Sequence, residues 1–235
     1  MTLGTTLCAG EKGQKVAELE AQTEQALRRD LVRFGRWLAR LGYTPGTSGN
    51  LSVRLDGDRV LVTPTGVSKC LLKAAEMAIV DLDGNQLSGP LHVTSEITMH
   101  LAIYHHRRDV RAVIHAHPFT ATAFACTGRS LDEFLCQEAV MTLGRVPLAK
   151  YATTGTSEVA ASLVPLIPGH NAILMANHGA VSYGKTLLDA FQKMETLEHL
   201  AQISLVASQL GSVQALRQDQ IEKLQLAQAR YLQNA

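Results

Sequence analysis

His115-Ala116-His117, answered further along the chain by Asn177-His178-Gly179, offers three imidazoles of the kind that hold a catalytic divalent metal. The first pair ends the apolar run Val110-Arg111-Ala112-Val113-Ile114. In a strand, alternate side chains share a face, so His115 and His117 can reach one ion while Ala116 faces the opposite packing layer. Pro118, which has no N–H to give a ladder, ends the strand. His178 sits where a second apolar run, Ala172-Ile173-Leu174-Met175-Ala176, meets a Gly-containing turn. Three neutral histidines leave a fourth position for water or substrate, which separates a catalytic zinc site from a closed structural one. Taken alone, His-x-His has an ordinary alternative, two strand histidines with everyday hydrogen bonds.

Two loops of small residues precede this motif, Gly46-Thr47-Ser48-Gly49-Asn50-Leu51-Ser52 and Thr63-Pro64-Thr65-Gly66-Val67-Ser68-Lys69. Glycines let backbone N–H groups approach an anion, and Asn, Ser and Thr add neutral donors, the makings of a phosphate cradle. Thr94 and Ser95 bring further donors to a helix N-terminus, where the partial positive charge favours an anion. Simple turn and cap chemistry would also explain each loop singly. Glu96 is the acid/base candidate, because a carboxylate beside a divalent metal can exchange a proton with a bound substrate. The alternative is a first-turn glutamate that only opposes the helix dipole. His92, His100, His105, His106, His170 and His199 lack paired spacing. His100, His105 and His106 are expected at the surface or at a helix cap, and Cys70, Cys126 and Cys136 as small packing residues.

Several elements must position these groups. Leu27, Leu31, Phe34, Leu38 and Leu41 recur at helical spacing between Val16 and Leu41, stopped at Gly42-Tyr43-Thr44-Pro45-Gly46. Leu51–Leu55 and Val60–Thr63 alternate around Asp56-Gly57-Asp58, a strand pair with a tight turn. Met77–Asp81 follows as a strand, then a helix from about Thr94 with Ile97, Leu101 and Tyr104 on one face. Beyond the histidine strand the expectation is a short helix over Ala160–Leu166 and a hairpin over Ala172–Tyr183. A long helix is expected over Leu187–Leu210 with Leu188, Phe191, Leu197 and Leu200 inward, and a last helix over Ser212–Leu232. Strands occur both in hairpins and between helices, which predicts a single three-layer α/β/α domain with a mixed, mainly antiparallel sheet. Residues 1–14 are expected to be a flexible arm and residues 15–235 the domain.

The chain has 235 residues, 46% of them hydrophobic, enough for one substantial core. Its 22 basic and 21 acidic residues are dispersed, so no footprint for nucleic acid or an anionic membrane is expected, and the partner should be a small molecule. Four scattered cysteines without Cys-x-x-Cys spacing point to a reducing, cytoplasmic setting. The segment Met1–Glu20, broken by Glu11, Lys12 and Lys15, reads as neither signal peptide nor anchor.

The motifs in order, Gly46–Ser52, Thr63-Pro64-Thr65-Gly66, Ser95-Glu96, His115-Ala116-His117, Tyr151–Thr156 and Asn177-His178-Gly179, resemble the class II aldolase/adducin family over roughly residues 25 to 210. The pattern is similar to that of sugar-phosphate aldolases acting on fuculose 1-phosphate. That resemblance implies Zn2+, or another divalent ion such as Co2+ or Mn2+, on His115, His117 and His178, with Glu96 as the proton-transfer carboxylate. It implies that Asn50, Gly66, Thr94 and Ser95 hold the substrate phosphate, and that Tyr231 matches a C-terminal tyrosine serving a neighbouring subunit's aldehyde. It also implies a homotetramer with active sites at subunit interfaces. The implied reaction is reversible cleavage of a ketose 1-phosphate to dihydroxyacetone phosphate and an aldehyde.

One departure bears on the substrate. Cys136 stands where the aldolase pattern has a phenol, and with the apolar Phe134-Leu135 this points to a less hydroxylated tail, such as a 5-deoxy or 5-methylthio pentulose 1-phosphate. Members of the family also decarboxylate, dehydrate or 4-epimerise through enolate chemistry, and an adducin-like scaffold would have no catalysis at all. Glutamate at 96, where the epimerase pattern favours aspartate, leans toward aldol cleavage.

Overall fold

The computed structural model describes residues 23–234, without the side chains of 231–234. The expected arm at 1–14 and the first turns expected of the opening helix lie outside that span. The described part of this helix, α1, runs Glu24–Arg40 and starts at Thr23, whose hydroxyl accepts the Ala26 N–H. Its face of Leu31, Phe34 and Leu38 is buried, while Leu41, just past the end, is 45% exposed.

Eight strands form one sheet: β1 Asn50–Arg54, β2 Arg59–Val62, β3 Ala78–Asp81, β4 Gln86–Ser88, β5 Ala112–Ala116, β6 Leu148–Ala149, β7 Ala172–Met175 and β8 Gly179–Gly184. Their order is β4-β3-β2-β1-β5-β8-β7-β6, and every neighbouring pair is antiparallel except β6 with β7. The expected hairpins at 51–63 and 172–183 are β1/β2 and β7/β8. The helices are α2 Ile97–His106, α3 Phe119–Cys126, α4 Gln137–Thr142, α5 Ser157–Leu163, α6 Leu187–Leu210 and α7 Gln218–Asn234.

Strand alternation divides the interior into two apolar layers, one on each face of the sheet. Leu51, Val53, Ala112, Ile114 and Ala116 pack with α1, α3, α4 and α6. Val60, Val62, Val113, Ile173 and Val181 pack with α2 and α5. The result is the three-layer α/β/α arrangement with a mixed, mainly antiparallel sheet. Each fully buried Leu, Ile or Phe contributes about 1.5–3 kcal/mol to it.

Three details correct the sequence reading. Leu188, expected inward, is 49% exposed, because α6 meets the sheet through Leu187, Ala190, Phe191 and Met194. Cys70 and Cys126 are exposed rather than packed. The last helix begins at Gln218, not near Ser212, since the preceding stretch forms no helix and Leu216 N–H donates to Phe134 O.

α3 starts directly after His117-Pro118, and Pro118 offers no capping side chain. Glu198, from α6 and 2% exposed, supplies the cap: its carboxylate accepts the N–H groups of Thr120 at 3.0 Å and Ala121 at 2.8 Å. Two charge-assisted bonds at a helix N-terminus, each worth about 1.5–3 kcal/mol, offset the cost of burying that charge. They also fix the chain immediately behind His117.

Candidate active site

The β1/β5/β8 register brings the site together. Asn50 stands opposite His115, and His115 opposite Val181. His115 is fully buried on the α2 face of the sheet, and its Nδ1 donates to Ala180 O at 2.9 Å. A proton on Nδ1 leaves Nε2 with a free lone pair. His117 leaves the strand with its backbone N–H on Tyr43 O at 2.7 Å. His178 arrives from the tight turn between β7 and β8, where Asn177 takes φ 57, a left-handed conformation that asparagine tolerates better than most residues. The three rings meet edge-on with centroids 4.7–5.0 Å apart.

Among the described residues, these histidines form the one group of three or more metal-ligating side chains, with ligand atoms within 4.8 Å of one another. Glu96, immediately before α2, sets Oε2 3.3 Å from His115 Nε2 and Oε1 3.3 Å from His178 Nε2. Its Oε1 is buried and makes no hydrogen bond. Burial holds His115 well below the ordinary imidazole pKa, and His117 and His178 push the same way. His117 and His178 are also lowered, chiefly by burial, with Glu96 opposing the shift. Imidazoles and a carboxylate therefore converge, with His117 Nε2 hydrogen-bonded to His115 Nε2 and the Glu96 oxygens facing His115 and His178 Nε2, an arrangement that a cation would relieve. Tetrahedral zinc with bonds of about 2.05 Å needs nitrogen donors about 3.3 Å apart; here His115 and His117 Nε2 lie 3.0 Å apart, and all three ligand atoms lie within 4.8 Å of one another. The donor set fits a divalent metal.

The two small-residue loops close on this centre. Thr65 N–H donates to His92 O, and Pro64 bridges to Val93, which places Gly66 beside the segment carrying Thr94 and Ser95. Gly66 has φ +71 with open space where a Cβ would point, Thr94 is buried, and Ser95 is exposed. Lys69, 1% exposed, ties the loops together by donating from Nζ to Thr47 O and Val67 O, and burial lowers its pKa to about 8. Asn50 is committed within the protein: Nδ2 donates to Glu96 Oε2 at 2.8 Å, and Oδ1 meets His100 Nε2. Tyr231 lies in α7, and its side chain is outside the described residues.

His100 corrects the sequence reading most. Expected at the surface or a cap, it is completely buried one helical turn after Glu96, with Nδ1 2.7 Å from Ser52 Oγ, itself 2.8 Å from Tyr104 OH. The available signal was Glu96, His100 and Tyr104 at i, i+4 and i+8, one polar stripe on an otherwise apolar helix.

The chain belongs to the family described as the class II aldolase and adducin N-terminal domain, whose model matches residues 29–205. The 3-oxo-tetronate 4-phosphate decarboxylase of Haemophilus influenzae is 37% identical over 186 residues, 77% of this chain and 88% of that protein. The 5-methylthioribulose-1-phosphate/5-deoxyribulose-1-phosphate aldolase of Rhodospirillum rubrum is 34% identical over 199 residues, covering 85% and 89% respectively. A solved L-fuculose 1-phosphate aldolase superposes with a TM-score of 0.81 at 32% identity, over 87% of this chain and 95% of that one. The family is generally divalent-metal dependent.

Gly179 admits no side chain. A Cβ there would lie 2.6 Å from His117 Cδ2 and 2.7 Å from Ala116 O. Gly179→Ala is expected to displace the His117 ring, weakening divalent-metal binding about 10- to 100-fold in a chelator competition and costing about 1–3 kcal/mol of stability. Unchanged metal affinity would mean that His117 is free to move aside.

The lowered histidines also set an acid sensitivity. As pH falls below about 6.5, the unfolded chain protonates at these imidazoles while the native chain does not, so stability is full above that pH and lost below it. For His100, whose folded value is about 3, the window extends down to that pH. In urea titrations of metal-free protein, the midpoint is expected to be flat from about pH 8 to 7 and to fall toward pH 5, by up to about 1.4 kcal/mol per pH unit per buried imidazole. A flat profile to pH 5 would show that the imidazoles charge freely in the folded state.

Proposed function

We propose that the protein is a divalent-metal-dependent aldehyde-lyase that reversibly cleaves a ketose 1-phosphate to dihydroxyacetone phosphate and an aldehyde. The observation that carries this is Glu96, a buried carboxylate aimed at the convergence point of three neutral histidines, with Oε1 free of any hydrogen bond. In this reading His115, His117 and His178 hold the ion, Zn2+ by preference. When bound, the ion supplies positive charge against the negative charge that develops on the substrate's ketone oxygen.

The residues of the chain do the rest. In cleavage Glu96 Oε1 takes the C4 hydroxyl proton, the C3–C4 bond breaks as the aldehyde carbonyl forms, and the electron pair passes into the C2 carbonyl to leave the enediolate of dihydroxyacetone phosphate. Glu96, protonated on Oε1, returns a proton to C3; in synthesis its carboxylate removes that proton. Gly66, Thr94 and Ser95 anchor the phosphate through backbone and hydroxyl donors, with the buried Lys69 cation beneath the same loops. Asn50 belongs to that set by its place on the strand, while its amide serves Glu96. The family resemblance gives Tyr231 the aldehyde end of a neighbouring subunit's site.

Decarboxylation is the second reading, favoured by the 37% identity to the Haemophilus influenzae enzyme. The two chemistries share a half-reaction. A 3-oxo-tetronate 4-phosphate that loses C1 as carbon dioxide leaves the same enediolate as an aldol cleavage, so dihydroxyacetone phosphate alone does not distinguish them. The co-product does. Identity to the Rhodospirillum rubrum aldolase and the apolar Phe134-Leu135-Cys136 stretch favour a 5-deoxy or 5-methylthio pentulose 1-phosphate over fully hydroxylated sugars.

The test is to incubate protein loaded with Zn2+, Co2+ or Mn2+ with 5-deoxyribulose 1-phosphate, fuculose 1-phosphate and 3-oxo-tetronate 4-phosphate, measuring aldehyde and carbon dioxide separately. Aldehyde release is expected, lost on chelation and in His178→Ala, reduced about 10²- to 10⁴-fold in Glu96→Gln, and lowered in Tyr231→Phe. Carbon dioxide without aldehyde would transfer the assignment to the decarboxylase.

A homotetramer with sites at subunit interfaces, the assembly that the resemblance implies, is part of the proposal. Phe119, two residues after His117 and 85% exposed, supports it, since an aromatic ring left in water beside a site is a natural contact. Light scattering is expected to give four times the chain mass; a monomer active in the assay above would refute the shared site. Free, exposed Cys70 and Cys126 suit a reducing, cytoplasmic setting, and facile disulfide-linked dimerisation of native protein in cell extracts would argue against it.

A further inference from the structure

Behind Glu96 and Asn50 lies a buried polar chain whose inner members, His100, Ser52 and Tyr104, the proposed mechanism does not use. It runs from Tyr104 OH to Ser52 Oγ, to His100 Nδ1, through the ring to Nε2, to Asn50 Oδ1, and from Asn50 Nδ2 to Glu96 Oε2. Four of its members are almost or wholly sealed: His100 and Ser52 are 0% exposed, Tyr104 1% and Asn50 4%. Buried polar groups without partners are costly, so each proton in such a chain has essentially one place.

The direction follows from the Glu96 end. A carboxylate only accepts, so the Asn50 amide nitrogen must face it, and Asn50 Oδ1 must then accept from His100 Nε2–H. With its one proton on Nε2, neutral His100 accepts at Nδ1 from Ser52 O–H, and Ser52 accepts from Tyr104 O–H. Burial keeps His100 neutral, its pKa lowered to about 3, with His115 acting the same way and Glu96 opposing. Rotating the Asn50 amide by half a turn would set its oxygen against the Glu96 carboxylate and its NH2 against the His100 N–H. Glu96 and His100 together forbid that rotation.

We propose that His100 is a positioning residue: it locks the Asn50 amide so that Nδ2 always serves Glu96 Oε2, which leaves Glu96 Oε1 as the oxygen that carries the proton to and from substrate carbon. The inference rests on the acid/base role proposed for Glu96. It explains why Oε1, unlike Oε2, makes no hydrogen bond, and why a histidine with no access to substrate lies buried one turn behind the carboxylate.

The experiment uses the half-reaction common to both cleavage chemistries, exchange of the hydroxymethyl hydrogen of dihydroxyacetone phosphate with deuterium from D2O, followed by proton NMR on zinc-loaded protein. Three variants are compared with wild type: His100→Leu, which leaves Asn50 Oδ1 without a donor; His100→Gln, whose amide can restore one; and Ser52→Ala, which frees the far nitrogen to take the proton. Zinc content and the concentration of dihydroxyacetone phosphate giving half-maximal exchange are measured alongside.

His100→Leu is expected to slow maximal exchange about 100-fold, as misplacement of a reacting group by about 1 Å does, with one zinc per chain retained and half-saturation within about threefold of wild type. His100→Gln should recover at least about a tenth of the wild-type rate, and Ser52→Ala should lower it about tenfold. Exchange within about threefold of wild type in His100→Leu overturns the proposal. So does a loss that merely tracks zinc content or half-saturation, or a glutamine variant no better than leucine. If the leucine protein does not fold, wild-type exchange in Ser52→Ala together with failed recovery in His100→Gln overturns it equally. Wild-type protein that exchanges nothing with any metal sinks the role of Glu96 first, and the positioning role with it.

Discussion

The pairing of β1 with β5 is the constraint on which the site depends. With Asn50 opposite His115, both side chains lie on the α2 face of the sheet, beside Ser52 and Val113. Side-chain direction in a strand has period two, so a slip of one residue would turn the whole set to the other face. Two features pin the register. Leu51, Val53, Ile114 and Ala116 must face the α1/α6 layer, and Gly49 lets the incoming chain pass against the sheet. A Cβ on Gly49 would lie 2.8 Å from His115 O, and its φ of +72 suits glycine. The apolar layer thus fixes which way the polar one points.

That polar layer is unusual in what it lacks. Histidines beside a carboxylate would ordinarily share a proton, yet burial lowers all three site imidazoles, with neighbouring histidines adding to the shift at His115 and His117, and the Nδ1–H of His115 donates to Ala180 O. What remains is lone pairs on one side, a carboxylate oxygen without a donor on the other, and a scaffold around them that is almost fully satisfied. The energy to hold such acceptors together comes from elsewhere: from the apolar layers, and from clamps such as Glu198, which satisfies the start of α3 directly behind His117. Preorganisation of this kind means that little has to move when a cation or an anionic substrate arrives.

The sequence makes some of this plain and conceals the rest for identifiable reasons. His115 and His117 could be read because a strand forces i and i+2 to one side, and the hairpin 172–183 because its alternating residues and turn are local signals. The helix Leu187–Leu210 matches its expected bounds, since Thr186 caps it and glycine follows its last residue. α3 was invisible: Phe119–Cys126 is short and almost uniformly apolar or small, so it has no periodicity, and its cap comes from Glu198, far along the chain. β4 and β6, of three and two residues, exist only through their neighbours. His100 was misjudged because its value lies in Asn50 and Ser52, which are near it only after β1 pairs with β5 and α2 lies across them.

A site that makes one enediolate can serve several reactions, and the physical chemistry says where the choice is made. In the proposed reading, Glu96, the histidine triad and the phosphate loops would all act on the three-carbon fragment common to aldol cleavage and decarboxylation, and nothing in them would sense whether the departing group is an aldehyde or carbon dioxide. Discrimination must come from what contacts the fourth carbon and beyond. In this chain Phe119, two residues after His117, is 85% exposed, unlike the sealed chain from Tyr104 to Asn50. Divergence within the family then needs no change to the buried half of the site, where any substitution orphans a polar group, and is free to act at the rim, where substitutions are cheap. Relatives of comparable identity are named for both kinds of activity, so the fold alone does not set the reaction.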